Sequence, residues 1–143
     1  MATGAINHVA LTVSDLQRSR EFYTPILQFL GYKNTGDMPG VSLWESTSTG
    51  SAINFWQAKP ELIGHKHQDY APGLHHLAFN ASSKQEVDDF YKLLLDVGAN
   101  IVDAPAEYEY APGYYAVFFT DPDGIRIELA HIPGLTFCGG RDA

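Results

Sequence analysis

A chain of 143 residues, 45% hydrophobic and 18% charged, holds enough apolar material for one folded domain or two small halves sharing a core, and is not a disordered polymer. Its net charge of −8 excludes nucleic acid as the expected partner, and its single cysteine, Cys138, excludes an intrachain disulfide and suits a reducing compartment. No apolar run approaches the roughly 20 residues that cross a bilayer and no basic-then-apolar leader is visible, so no membrane partner and a cytoplasmic location are expected.

The first element is "INHVALTVSD", residues 6–15, whose alternation predicts a strand over 6–13. Ile6, His8, Ala10 and Thr12 share one face and Asn7, Val9, Leu11 and Val13 the other. Ser14 or Asp15 is the expected N-cap of a helix carrying Leu16, Tyr23, Leu27 and Leu30, closed by Gly31. Pro25, lacking an N–H, is expected to kink or split that helix. Three strands should follow, around 32–35, 41–46 and 51–58, separated by the turn signals "NTGDMPG" and "STSTG". Residues 58–73, rich in Lys, Pro, Gly and His, read as a linker. Then "LHHLAFNASS" opens a new strand, Ser82 or Ser83 caps a second helix with a buried stripe of Val87, Phe90, Tyr91 and Leu94, and Gly98 ends it. Strands around 99–103, 114–120 and 125–131 follow, joined by "DAPAEYEYAPG" and "DPDG".

The second series of elements copies the first. A shift of 68 carries His8 onto His76, Val9-Ala10-Leu11 onto Leu77-Ala78-Phe79, Ser14 onto Ser82, Phe22-Tyr23 onto Phe90-Tyr91 and Leu27 onto Leu95. Farther on the offset becomes 74, with Gly50 matching Gly124, which implies an insertion in the second half's hairpins. The expected organisation is a single domain over residues 1–143: module one over about 5–57, the linker over about 58–73, module two over about 74–132 and a C-terminal tail at 133–143.

On "NHVALTVSDLQRSREFYTPIL", "LHHLAFNASS" and "GYYAVFFTDPDGIRIELAH", with the closing "DPDGxxxE" the most specific, the chain resembles the vicinal oxygen chelate superfamily over roughly residues 5–132. That superfamily includes glyoxalase I, methylmalonyl-CoA epimerase, extradiol dioxygenases, fosfomycin-resistance transferases and bleomycin-binding proteins. The resemblance implies an α+β fold of two tandem βαβββ modules forming a half-barrel-like cavity, and a homodimer. It also implies metal positions at His8, Asn54, His76 and Glu128. Asn54 stands where bacterial glyoxalase I carries a glutamate, so the implied ligands are His8, His76 and Glu128. Two imidazoles and a carboxylate suit one divalent ion (Fe, Mn, Co, Ni or Zn) with positions left for water or substrate.

A lone histidine on an apolar strand is ordinarily a hydrogen-bonded core residue; two at equivalent repeat positions, with a carboxylate in the closing motif, favour a metal. His75, on the opposite face from His76, is expected to have a surface or structural role. The linker residues His65 and His67 read as solvent-exposed, and alternation puts His131 on the face opposite Glu128. The expected activity is a metal-dependent, glyoxalase-like isomerase or lyase on a small oxygen-rich or aromatic substrate. Tyr114 and Tyr115 are both candidates for proton donation or substrate contact, and since alternation turns only one of them inward, Tyr115 is taken with Glu128 as the candidate catalytic pair, with Asn54, Trp56 and Tyr115 contacting substrate. Trp44 reads as core, and Tyr108 and Tyr110 as rim.

His-His-Glu is also the extradiol dioxygenase ligand set. The pair ahead of "DP" here is Val117-Phe118, however, where those enzymes carry a tyrosine, and the histidine expected around 109–111 is absent. The runner-up reading is therefore a non-classical ring-cleaving dioxygenase using a His-His-Glu iron site, and the third is a drug-sequestering binding protein, supported by the 13% aromatic content.

Overall fold

The computed structural model describes residues 2–134; Cys138 and all but the first two residues of the tail lie outside the described residues. Each half begins with a strand, a helix and then three strands: β1 (His8–Val13), α1 (Leu16–Phe29), β2 (Tyr32–Met38), β3 (Val41–Ser46) and β4 (Ala52–Gln57), followed by β5 (Leu77–Asn80), α2 (Lys84–Asp96), β6 (Asn100–Glu107), β7 (Tyr115–Thr120) and β8 (Arg126–His131). The strands form two four-stranded sheets, ordered β1-β4-β3-β2 and β5-β8-β7-β6, so this is an α+β chain of two tandem βαβββ modules. The division between compact units falls after His67, inside the expected linker, where Pro60–Leu62 makes one 3₁₀ turn.

Each helix starts where its cap can take a backbone N–H. Asp15 accepts from the Arg18 N–H, and Ser83 accepts from the Glu86 N–H at 3.1 Å. Contrary to expectation, α1 runs unbroken through Pro25. The ring removes one internal N–H, but the turn before it is tied by the Thr24 hydroxyl donating to the Arg20 carbonyl at 2.6 Å, and Tyr23, Ile26 and Leu27 on either side are buried. In α2 the buried residues are Val87, Phe90 and Leu94; Tyr91 is half-buried and Leu95, the repeat partner of Leu27, is 53% exposed. The repeat therefore slips within the helix, as a cylinder that tolerates a small rotation permits.

In module one the helix covers the sheet face carrying Trp44, Ile53 and Phe55, with the Tyr23 and Phe55 rings 4.3 Å apart. In module two Val117, Phe119, Ile127 and Leu129 are buried, with Phe90 of α2 against Phe119 at 5.7 Å. The opposite faces carry His8, Asn54 and Trp56 in module one and Glu128 in module two. Their register confirms both sequence offsets: Ala10 pairs with Asn54 between parallel β1 and β4, and Ala78 pairs with Glu128 between parallel β5 and β8.

The "DPDG" turn fixes the last of these. The Asp121 carboxylate is buried and accepts from the N–H groups of Asp123 and Ile125, each at 2.9 Å, while Gly124 takes the positive φ of 83° that the turn requires. The hairpin so closed sets Phe118 directly opposite Glu128.

Candidate metal centre

In module one, strand pairing puts His8, Asn54 and Trp56 on one sheet face, because Ala10 lies opposite Asn54 and Thr12 opposite Trp56. His8 is exposed, with Nδ1 2.7 Å from the Asn7 side-chain oxygen. Asn54 is half-buried and Trp56 is 50% exposed, an indole face turned to solvent. Trp44 pairs with Ile53 on the helix side, is 3% exposed and donates through Nε1 to the Ser42 hydroxyl, so it is core.

Module two is more closed. Glu128 is 1% exposed on β8, and each of its oxygens has a partner. Oε2 lies 3.1 Å from His76 Nε2, and Oε1 accepts from the Tyr114 hydroxyl. The helix side of the same strand holds His131, whose Nδ1 is 3.2 Å from the Ala81 carbonyl. Burial first, and then the bond to Glu128, raises the Tyr114 phenol far above its usual range, so it stays protonated and remains a donor.

Tyr115 is a correction. Its hydroxyl donates to Asp88 of α2 at 2.7 Å, and Lys84 Nζ lies 5.4 Å from its ring, on the face away from Glu128. The reason is parity: Phe118 faces Glu128, so Ala116 and Tyr114 share that side while Tyr115, Val117 and Phe119 turn toward α2. Of the two neighbouring tyrosines it is Tyr114, not Tyr115, that takes the Glu128 side. The residues between β6 and β7 fold over the Glu128 face: Tyr108 stacks on Tyr110 with centroids 5.5 Å apart, and both Tyr108 and Tyr114 pack against Ala116, Phe118 and Ala130. Burial also raises the Tyr108 phenol.

The sequence reading gave Arg126 no role and turned His75 away from His76. Arg126, on the Glu128 face of β8, lays its guanidinium 5.0 Å from the centre of the Phe118 ring and lies 3.7 Å from both Asp69 and Asp103. His75, expected to point away from His76, instead has its Nδ1 2.7 Å from that of His76. Alternation does not apply to this pair, because both residues precede β5.

The His76–Glu128 spacing can be tested against a shared ion. Two donors each about 2.1 Å from a divalent ion are about 3.0 Å apart at a right angle and about 3.4 Å apart at the tetrahedral angle. The observed 3.1 Å lies between, and a neutral imidazole with a carboxylate is a suitable donor set. In neither unit do three or more His, Cys, Asp or Glu side chains among the described residues already gather to hold an ion.

A sequence profile described as Glyoxalase/Bleomycin resistance protein/Dioxygenase superfamily matches residues 5–129. The chain is 34% identical over 129 residues to the uncharacterised protein YqjT of Bacillus subtilis, covering 87% of this chain and 96% of that one. It is 29% identical to the Metallothiol transferase FosB of Staphylococcus saprophyticus, over 87% of this chain and 75% of the relative. The crystal structure of a candidate glyoxalase from Bacillus halodurans matches with a TM-score of 0.80 at 27% identity, over 90% of this chain and 96% of that one.

Proposed function

The chain belongs to the Glyoxalase/Bleomycin resistance protein/Dioxygenase superfamily, and on that premise we propose that it is a metal-dependent, glyoxalase-like isomerase or lyase acting on a small oxygen-rich or aromatic molecule. The observation that carries this reading is the buried Glu128, flanked by the imidazole of His76 and the phenol of Tyr114. A carboxylate that accepts from a phenol on one oxygen and faces an imidazole on the other is arranged for proton transfer beside a cation.

His76 and Glu128 would hold the ion, and His8, the repeat counterpart of His76, is the third ligand in this reading. A divalent ion (Fe, Mn, Co, Ni or Zn) would supply Lewis-acid stabilisation of negative charge on substrate oxygens. The chain's own groups do the rest. Glu128 takes a proton from the carbon next to a bound carbonyl, and the phenol of Tyr114 returns one to the developing oxyanion. Asn54, neutral where a second carboxylate would stand, bonds substrate or water, and the exposed indole of Trp56 offers a flat wall. The reading includes a cytoplasmic homodimer.

Similarity to a metallothiol transferase favours a second reading, addition of a thiol to an oxygen-rich substrate. Ring cleavage is disfavoured because Phe118, directly across from Glu128, has no hydroxyl. The discriminating experiment begins with elemental analysis of protein purified without chelators, where about one equivalent of metal is expected. The loaded protein in deuterated water should then place deuterium on the carbon beside a chelating carbonyl, and Glu128→Gln should abolish this. Thiol consumption without exchange would favour the transferase, and oxygen uptake with catechols would favour ring cleavage. An apoprotein whose melting temperature no divalent ion changes would be a sequestering protein.

A further inference from the structure

We propose that His75 is a positioning residue for the candidate metal centre, one that lets His76 exchange a carboxylate for a cation without losing its second hydrogen bond. The inference rests on the metal reading above and adds a residue that the ligand set does not contain.

His76 is engaged at both ring nitrogens: Nε2 is 3.1 Å from Glu128 Oε2 and Nδ1 is 2.7 Å from His75 Nδ1. A neutral imidazole carries one proton, so of the two facing Nδ1 atoms one donates and the other accepts. Facing a carboxylate, Nε2 of His76 is the donor. Its Nδ1 is then an acceptor, and His75 carries its own proton on Nδ1.

An ion at Nε2 needs that nitrogen's lone pair, which reverses the arrangement. The Nε2 proton of His76 leaves to solvent, the shared proton crosses from His75 to His76, and the outer Nε2 of His75 takes a proton from solvent. Two protons reside on the pair before and after. His75 is exposed, so its outer nitrogen has water to exchange with.

The choice of residue follows from this exchange. A carboxylate or a carbonyl at the position of His75 accepts only, which would keep the proton on Nδ1 of His76 and turn a bare Nε2 lone pair toward Glu128 in the metal-free protein. An imidazole donates in one state and accepts in the other. The ring of Tyr70 meets His75 edge-on at 4.7 Å, and Phe118 meets His76 edge-on at 6.4 Å, so each imidazole has an aromatic neighbour against it.

Long-range proton–nitrogen spectra of the metal-free full-length protein test this directly. They should show His75 protonated on Nδ1 and His76 on Nε2, and Zn(II) should reverse both. In calorimetry, His75→Leu should weaken Zn(II) binding by about 10- to 100-fold. His75→Asn, whose amide can donate or accept near the same place, should stay close to the parent. Both variants should keep the parent circular dichroism, since His75 is exposed. The proposal is overturned if metal-free His75 carries its proton on Nε2, if His75→Leu binds Zn(II) like the parent, or if His75→Asn falls as far as His75→Leu. Failure of the parent to bind Zn(II) would sink the metal-centre reading instead, while the metal-free spectra alone still decide whether the two imidazoles are paired as described.

Discussion

A carboxylate that is 1% exposed has lost water from both oxygens, and Glu128 replaces it with one imidazole and one phenol. Removing the phenol should therefore separate two roles. Tyr114→Phe leaves Oε1 without its donor, which costs about 1–3 kcal/mol of stability, and as loss of a proton donor it should lower turnover by about 10²- to 10⁴-fold while the ion still binds. Denaturant unfolding and steady-state kinetics on metal-loaded protein check the two parts. Tyr115→Phe should leave turnover near the parent and change stability at high pH instead. The Asp88 bond, then burial, push the Tyr115 phenol up from 10.0 to about 12. A raised pKa means that the folded chain holds this proton more tightly, so the stabilisation is complete below about pH 10 and is lost as pH rises through about 12. Tyr115→Phe should flatten that part of the stability profile, and a profile as steep as the parent's would show that the Asp88 bond contributes nothing there. The sequence could not separate these neighbours, because a single residue of phase decides which faces Glu128 and the strand's first residue is the least certain of its length.

The insertion detected by self-comparison is itself an element of the site. The offset is 68 between the starts of β2 and β6, Tyr32 to Asn100, and 74 between those of β3 and β7, Val41 to Tyr115, so the extra residues lie in the β6–β7 hairpin. Module one turns there with Pro39 and Gly40 alone, whereas module two spends residues 108–114, including Tyr108, Tyr110 and Tyr114. The aromatic cover on Glu128 is thus what the second half gained. Replacing 108–114 by Pro-Gly should keep both sheets, since Tyr115–Thr120 stays paired to β8, but should expose Glu128 and abolish activity. Retained activity would show that the cover is dispensable; circular dichroism verifies the fold. Strands, caps and turns were legible because they rest on local patterns such as "DPDG" and Ser83. The uninterrupted α1 was not, because tertiary burial of Tyr23, Ile26 and Leu27 outweighs the local cost of Pro25.

At the scale of the whole chain, duplication explains both the legibility of the site and its asymmetry. Two copies of one scaffold present the same positions, His8 with Asn54 and His76 with Glu128, and the pairing of Ala10 with Asn54 and Ala78 with Glu128 shows that the backbone kept the equivalence after the side chains diverged. One half carries the neutral Asn54 where the other carries the buried carboxylate of Glu128. If the two halves contribute to one ion, as proposed, a second carboxylate should strengthen binding: Asn54→Glu should tighten Zn(II) affinity by at least about tenfold, or about 1.4 kcal/mol. Saturating ion should also stabilise the chain, by about 2.7 kcal/mol at a hundredfold excess over Kd, and His8→Ala should remove most of that gain in a melting experiment. Asn54 is half-buried, not sealed, so the longer glutamate side chain has room, and loss of folding is not the expected reason for any change. An Asn54→Glu protein that binds the ion no tighter, beside a His8→Ala protein that binds it equally well, would place the cation entirely on module two.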